Sequence, residues 1–301
     1  MTTTLKKYIH LFLGLTAFGF IIFFLFSNVR VLNLVLKVKP QTVIAIALLH
    51  FLAQIFQTSI GWILLSSTGA RILFRQYFWV NAFSMLCNYM PFQGSMFVRG
   101  GLLRQNYKVR IELYITVVTL TFLLGQSVYS FFGSLILLLS RLNTALAVLL
   151  LTISILTLLP LVPFFRNSLL KFFQNRWRNI SHFSPINSTV IPRVILVISL
   201  GFLLLAFRYY LLFRSLDYHI GYNTCAILAC ASGLSTLLRL TPAGLGIREG
   251  LTGLIAYGIN FDITVAVLIV LLDRIISLMV VIPLGVISWP KLKSDVKGIV
   301  I

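Results

Sequence analysis

Acidic side chains are nearly missing from this chain: six Asp and Glu stand against 25 Lys and Arg in 301 residues, and charges of both signs make up only 10%. A water-soluble domain carries charge on roughly a quarter of its residues, so this sequence cannot cover a soluble surface. No long polar stretch is left from which an extramembrane domain could fold, and an activity that needs one would come from a partner. Histidine and cysteine are equally sparse. His10, His50, His182 and His219 are scattered without acidic neighbours at ligand spacing, and Cys87, Cys225 and Cys230 show no metal spacing. Neither a metal site nor a disulfide framework is expected, and the thiols read as small buried residues within apolar segments. No other cofactor is expected. The basic excess contains no basic run and no aromatic-spaced basic motif, which argues against nucleic acid. It fits a positive-inside bias and contact with anionic lipid headgroups instead.

What is abundant is apolar: 59% of the residues are hydrophobic and the mean hydropathy is +0.99. With about 20 residues per crossing, the chain has material for roughly seven to nine membrane segments. The fold class is therefore all-α, a polytopic protein of the cell membrane. In chain order, Leu11 to Ser27 follows Lys6 and Lys7 and lacks a cleavage site, so it reads as a retained first span with its N-terminus in the cytoplasm. Thr42 to Leu65, Ile111 to Leu139, Thr144 to Phe165, Val194 to Phe213 and Ile263 to Trp289 follow as further spans. Pro290, Lys291, Lys293 and Lys297 close the last of them on the cytoplasmic side. Between residues 166 and 192, Phe165, Leu169, Phe173, Trp177 and Ile180 recur at helical spacing opposite basic residues, as in a helix lying along the interface. This linker divides a single transmembrane domain, 1–301, into a half at about 1–165 and a half at about 193–301. Asn179-Ile180-Ser181 and Asn187-Ser188-Thr189 match the glycosylation pattern but would go unused on a cytoplasmic linker. The misfit in this layout is Arg30, Lys37 and Lys39, which fall on the outer side.

Two hydrophobic segments are broken. Tyr77 to Met90 stops at Pro91 and Gly94 after a run too short to cross, yet basic clusters at Arg71/Arg75 and at Arg99, Arg104, Lys108 and Arg110 flank it on both sides. A re-entrant hairpin over about residues 77–98 puts both clusters inside. Tyr222 to Ile259 contains Pro242, Gly244, Gly246 and Gly250, with Arg239, Arg248 and Glu249 beside the break, and must leave and return to the outer face. This gives about six full spans plus two opposed re-entrant hairpins, although charge parity equally allows Tyr222 to Ile259 to make two short crossings. Met90 to Leu102 and Thr241 to Leu251 share an order of Pro, Gly, Arg, Gly and Leu. Paired interruptions of this kind point to an inverted repeat with a site near mid-membrane.

The chemistry follows from the break. A half-helix starting near Gly246 presents unpaired N–H groups and the positive end of its dipole to an anion. Arg239 and Arg248 add fixed charge and a planar fork suited to phosphate. Glu249 would pair with one of these arginines or with Arg274, and Asp273-Arg274 supplies a second intramembrane pair. Such pairs also arise simply to neutralise one another and fix helix register. Arg99 and Arg104 read equally as cytoplasmic anchors, and Asn88, just ahead of the first break, as a cap or hydrogen bond within the hairpin. Gln126, Tyr129, Arg208 and Tyr209 are placed to line a cavity, but no pattern separates them from interhelical glue.

At these residues the chain resembles the transmembrane region of the lysylphosphatidylglycerol synthases, a flippase-like integral membrane family. T-P-A-G-L-G-I-R-E-G-L is similar to that family's P-x-G-x-G-x-R-E-G signature, and N-Y-M-P-F-Q-G-S-M-F-V-R-G-G-L-L-R to its weaker early element. Asp273-Arg274 and Pro283-Leu284-Gly285 resemble its last span. The resemblance implies translocation of an anionic or aminoacylated lipid between leaflets, or handling of polyprenyl-linked sugar lipids. A lipid headgroup site is expected at Asn88, Arg99, Arg239, Gly244, Gly246, Arg248, Glu249, Asp273 and Arg274. The family's soluble synthase domain is not part of this sequence, so aminoacyl transfer does not carry over, and Gln93 stands where a basic residue is common. The expected partners are membrane lipids with anionic headgroups and enzymes of envelope biosynthesis. The competing readings are a membrane-embedded enzyme of lipid-linked glycan synthesis, with Glu249 or Asp273 as base, and a non-catalytic accessory subunit of the same system.

Overall fold

Pro40 opens the first helix of the computed structural model, which describes residues 38–89, 94–159, 188–235 and 246–297. Nine α-helices follow one another there, with no strand among the described residues: α1 (Pro40–Ser67), α2 (Phe74–Leu86), α3 (Gly94–Tyr107), α4 (Ile111–Ser140), α5 (Thr144–Leu158), α6 (Ile191–Ser215), α7 (Tyr222–Leu234), α8 (Ile247–Gly258) and α9 (Ile263–Lys297). Four stretches are long and apolar enough to cross a membrane, namely α1, α4, α6 and Ile263–Leu292 of α9. They coincide with four of the expected spans. The first expected span, the interfacial linker helix, the first glycosylation pattern and Asn187 of the second lie outside the described residues. The protein is a multi-pass, helical membrane protein.

Local chemistry sets the turns. Thr68 and Gly69 return their N–H groups to Leu65 and Ser66 at 3.2 and 3.1 Å, and Gly69 takes a φ of +85° that ends α1. Arg141 adopts a left-handed φ of 51° at the end of α4, and two residues later the Asn143 side chain accepts the Leu146 N–H at 2.9 Å to start α5. Stop and start thus fit into three residues, which forces α4 and α5 to pack as neighbours. The Asn143 amide also donates to the Gly258 carbonyl at 2.7 Å, tying this turn to the end of α8. Asp262 accepts from Thr264 and Val265 N–H groups at 2.8 and 3.1 Å and so begins α9.

One boundary differs from the sequence expectation. α9 does not stop at Trp289 but runs through Pro283 and Pro290 to Lys297. Each proline removes one backbone hydrogen bond, from the carbonyls of Met279 and Val286, and the turns on either side are enough to carry the helix past it. In each of the two segments expected to be broken, the first helix is only 13 residues long. α2 ends in a short 3-10 turn, Cys87–Tyr89, before α3, and α7 ends at Leu234 well before α8 begins.

Packing crosses between the halves. α2 lies on α9 and α7 on α4; α1 lies on α2 and on α4, as α6 does on α7 and on α9; α1 meets α9 as α6 meets α4, and α1 packs against α6 itself. Exchanging α1–α4 for α6–α9 maps this set of neighbours onto itself. One detail repeats to the residue: Gly133 lies 22 residues into α4 and Gly285 lies 22 residues into α9. A Cβ at Gly133 would press on Cys230 of α7, and one at Gly285 on Leu86 of α2. Lipid is as apolar as a leucine side chain, so helices in a bilayer associate through close fit rather than through hydrophobicity. The two glycines supply that fit at both crossings. Gly133→Ala and Gly285→Ala are each expected to cost about 1–3 kcal/mol by overpacking, read as a lower melting temperature in detergent at a fixed scan rate. Unchanged melting of both would mean that the crossings relax without cost.

Two buried apolar clusters result. One surrounds α2 and draws on α1, α3, α4 and the start of α6; the other surrounds α7 and draws on α5, α6, α8 and α9. α7 is the most enclosed element: every residue from Cys225 to Ala231 is within 1% of full burial. Its Cys, Ala and Gly content suits that position, and all three cysteines are buried thiols, as expected. The long helices turn Leu48, Leu139, Leu149 and Leu196 outward, the surface a bilayer requires.

Candidate functional site

Asp273 is the hub of the polar interior. It is 1% exposed, ten residues into the 35-residue α9, and three helices bring cationic or polar groups to it. Arg248, in the first turn of α8, donates from Nη2 to Asp273 Oδ2 at 3.0 Å. Arg208 of α6 holds its Nε 3.3 Å from Oδ1, close enough for charge attraction though not aligned as a hydrogen bond. His50 of α1 places Nε2 3.0 Å from Oδ1 and donates to the Asp273 carbonyl at 3.1 Å. The other ring nitrogen fixes the state of this histidine. Nδ1 lies 2.7 Å from Arg208 Nη1, and a guanidinium only donates, so Nδ1 must accept and the proton must sit on Nε2. His50 is therefore neutral in this arrangement.

Arg248 is clamped from a second direction. Its Nε donates to Ser232 of α7 at 2.8 Å and its Nη2 to the Tyr209 hydroxyl of α6 at 2.6 Å, while Tyr209 and Ser232 hydrogen-bond each other at 2.7 Å. Its Nη1 has no partner among the described residues, and the side chain is 18% exposed. Beside it, Glu249 reaches back to accept the Gly246 N–H at 2.9 Å and stands 2.8 Å from Arg274 Nη1. Gly246 has a φ of +81°, the left-handed turn from which α8 starts, and Glu249 at its third position is the acidic half of a capping box.

Two sequence expectations are corrected here. Asp273 and Arg274 do not pair with each other: successive helical residues point about 100° apart, so Asp273 faces Arg248, Arg208 and His50 while Arg274 faces Glu249. The N-terminus of α8 is also less open to an anion than a bare break would be, because Glu249 already occupies one of its N–H groups. Gly246, Arg248, Glu249, Asp273 and Arg274 are brought together. Arg239 and Gly244 lie outside the described residues.

The first hairpin holds Asn88 and Arg99 apart from that cluster. Asn88 Oδ1 accepts from Ser95 at 3.1 Å, a bond that spans the break between the two limbs. Arg99 Nε donates to Ser84 of α2 at 3.1 Å, and Ser84 in turn donates to the Asn81 carbonyl at 2.8 Å. At the loop ends, Arg71, Lys108 and Arg110 line one recess of about 330 Å³ together with Tyr107 and Leu113. Residues from the two basic stretches on either side of α2 and α3 thus meet at one recess.

Sequence reasoning left Arg208 and Tyr209 unseparated from packing glue and passed over His50, Ser232 and Ser84. A lone histidine in an apolar span is a signal, but nothing in the sequence said that α1 would face α9. Gln126 bonds Ser130 on its own helix at 3.0 Å, and Tyr129 packs edge-on to Phe202.

Fold and site together define a polytopic helical membrane protein with a charged interior assembled at the break of a short helical pair. The chain matches the family described as the lysylphosphatidylglycerol synthase TM region over residues 11–285 and belongs to it. That membership places it among membrane proteins of lipid and envelope metabolism. No curated protein matches it significantly.

Proposed function

We propose that this protein moves a lipid bearing a phosphate headgroup, an anionic phospholipid or a polyprenyl-phosphate-linked lipid, between membrane leaflets. The observation that carries this reading is a charge imbalance inside the bilayer. Three guanidiniums, of Arg208, Arg248 and Arg274, face two carboxylates, of Asp273 and Glu249, with His50 neutral. Among the described residues of this cluster, one positive charge is left over. An uncompensated intramembrane charge is costly, and a phosphodiester, which carries one negative charge, removes the cost. Arg248 is the group to meet it, since its Nη1 is open and its charge is shared with only one acid. The acids keep the headgroup from being held too tightly to leave. The tails stay in hydrocarbon, and two hairpins entering from opposite faces give the headgroup a path along the protein.

The enzyme reading has less support. Asp273 is held between two guanidiniums and a histidine, and Glu249 between Arg274 and Gly246, so neither carboxylate is placed as a general base. The test is reconstitution in liposomes with a labelled anionic phospholipid. Wild type is expected to speed leaflet exchange, Arg248→Ala to slow it by about tenfold or more, and Glu249→Gln to alter it through Arg274. Equal exchange in all three proteins and in empty liposomes would sink the translocase reading, and turnover of a lipid-linked sugar donor would replace it with the enzyme.

A further inference from the structure

The two hairpins are built to one template. α2 and α7 are 13 residues each, and both carry serine ten residues after their first position, Ser84 after Phe74 and Ser232 after Tyr222. In each hairpin the arginine of the second limb donates from Nε to that serine hydroxyl, Arg99 to Ser84 and Arg248 to Ser232. The same donor atom meets the same side-chain atom at the same place on the helix. Each serine-bearing limb also rests on the long helix of the opposite half, at Gly285 and Gly133 respectively. A match in neighbours, helix length, residue position and bonded atom relates Arg99 to Arg248 structurally as well as by motif order.

The two arginines differ in what else they touch. Arg248 gives its Nη2 to Tyr209 and Asp273. Arg99 has no carboxylate partner, and its four N–H groups on Nη1 and Nη2 have no partner among the described residues. Thr121, which lies ten residues into α4 as Asp273 does into α9, bonds only its own helix, to Val117 at 2.8 Å. The position that clamps the second site with an acid therefore carries no charge in the first. A guanidinium anchored through Nε projects its Nη1–Nη2 edge as a planar pair of donors, the geometry that takes two oxygens of one phosphate.

We infer that Arg99, anchored by Ser84, forms a second phosphate-binding site, the counterpart of Arg248 and the more accessible of the two because no carboxylate must be displaced from it. That the phosphate belongs to a lipid rests on the translocase reading; that the site takes phosphate does not. The source is separated by two probes, dihexanoyl phosphatidylglycerol and inorganic phosphate, each titrated calorimetrically into the full chain in phosphate-free maltoside micelles. Wild type is expected to bind the short-chain lipid, Arg99→Gln to weaken that binding by about tenfold or more, and Ser84→Ala to weaken it less. Arg99→Lys keeps the charge without the planar pair and is expected to fall between wild type and Arg99→Gln, which also covers a failure of the glutamine variant to fold. Binding of inorganic phosphate alone, lost in Arg99→Gln, would uphold the site and assign it to free phosphate. Affinity for both probes equal in wild type, Arg99→Lys and Arg99→Gln would overturn the inference. Arg99-dependent binding of the lipid without leaflet exchange in liposomes would uphold this site while removing the translocase reading.

Discussion

Asp273→Leu is expected to destabilise the fold by about 3–5 kcal/mol, the cost of leaving a buried ion pair with one member missing. The loss is large because Asp273 is the sole acid against both Arg208 and Arg248, whose side chains are 8% and 18% exposed. Removing it strands two charges in a medium that cannot solvate them, while His50 keeps its bond to the backbone carbonyl of residue 273. Asp273→Asn keeps an oxygen for Arg248 Nη2 but not the charge, and should fall between. The informative variant is the triple replacement of Asp273, Arg208 and Arg248 by leucine. Exchanging a whole buried ionic group for apolar side chains is often neutral or stabilising, so the triple variant should melt well above Asp273→Leu alone. It should nevertheless fail to exchange lipid. Melting in detergent and exchange in liposomes, measured on the same preparations, separate the two roles. A triple variant that melts no higher than the single one would show that the cluster holds the fold through its geometry rather than through charge balance.

The second large effect is expected at Glu249. Its carboxylate stands 2.8 Å from Arg274, which is 4% exposed, and also accepts the Gly246 N–H that starts α8. Glu249→Ala removes a buried countercharge and a cap together, for about 3–5 kcal/mol from the pair and about 1 kcal/mol from the cap. The pairing and capping parts can be told apart by a swap. Glu249→Arg with Arg274→Glu restores opposite charges across the same gap but places a cation at the positive end of the α8 dipole, which the helix disfavours. Melting should recover partly, not fully. Full recovery would mean that the cap contributes nothing, and no recovery would mean that Glu249 and Arg274 are not coupled.

Much of the architecture was readable from the chain because membrane helices declare themselves by length and apolarity. α1, α4 and α6 begin and end within a few residues of the expected spans. Partner choice was not readable. Asp273-Arg274 looks like a pair in sequence and is not one, because adjacency along a helix is divergence around it. His50 enters the site only because α1 packs against α6 and α9, and no periodicity encodes that. Ser84 and Ser232 are two serines among many until the helices that carry them are known to start at Phe74 and Tyr222. The α9 end point was missed because proline is a weaker stop inside a long apolar helix than at the end of a short one.

The crosswise packing also dictates when the molecule can become itself. α2 is covered by α9 as well as by α1, and α7 by α4 as well as by α6, so part of the wall around each short limb comes from the other half. As the chain leaves the ribosome, α2 and α3 are made long before Gly285, and until α9 arrives the face of α2 that bears Leu86 has no permanent neighbour. The first half cannot mature by itself while the second is being synthesised, as independent domains do. It waits in the bilayer as an unfinished assembly until α9 is made.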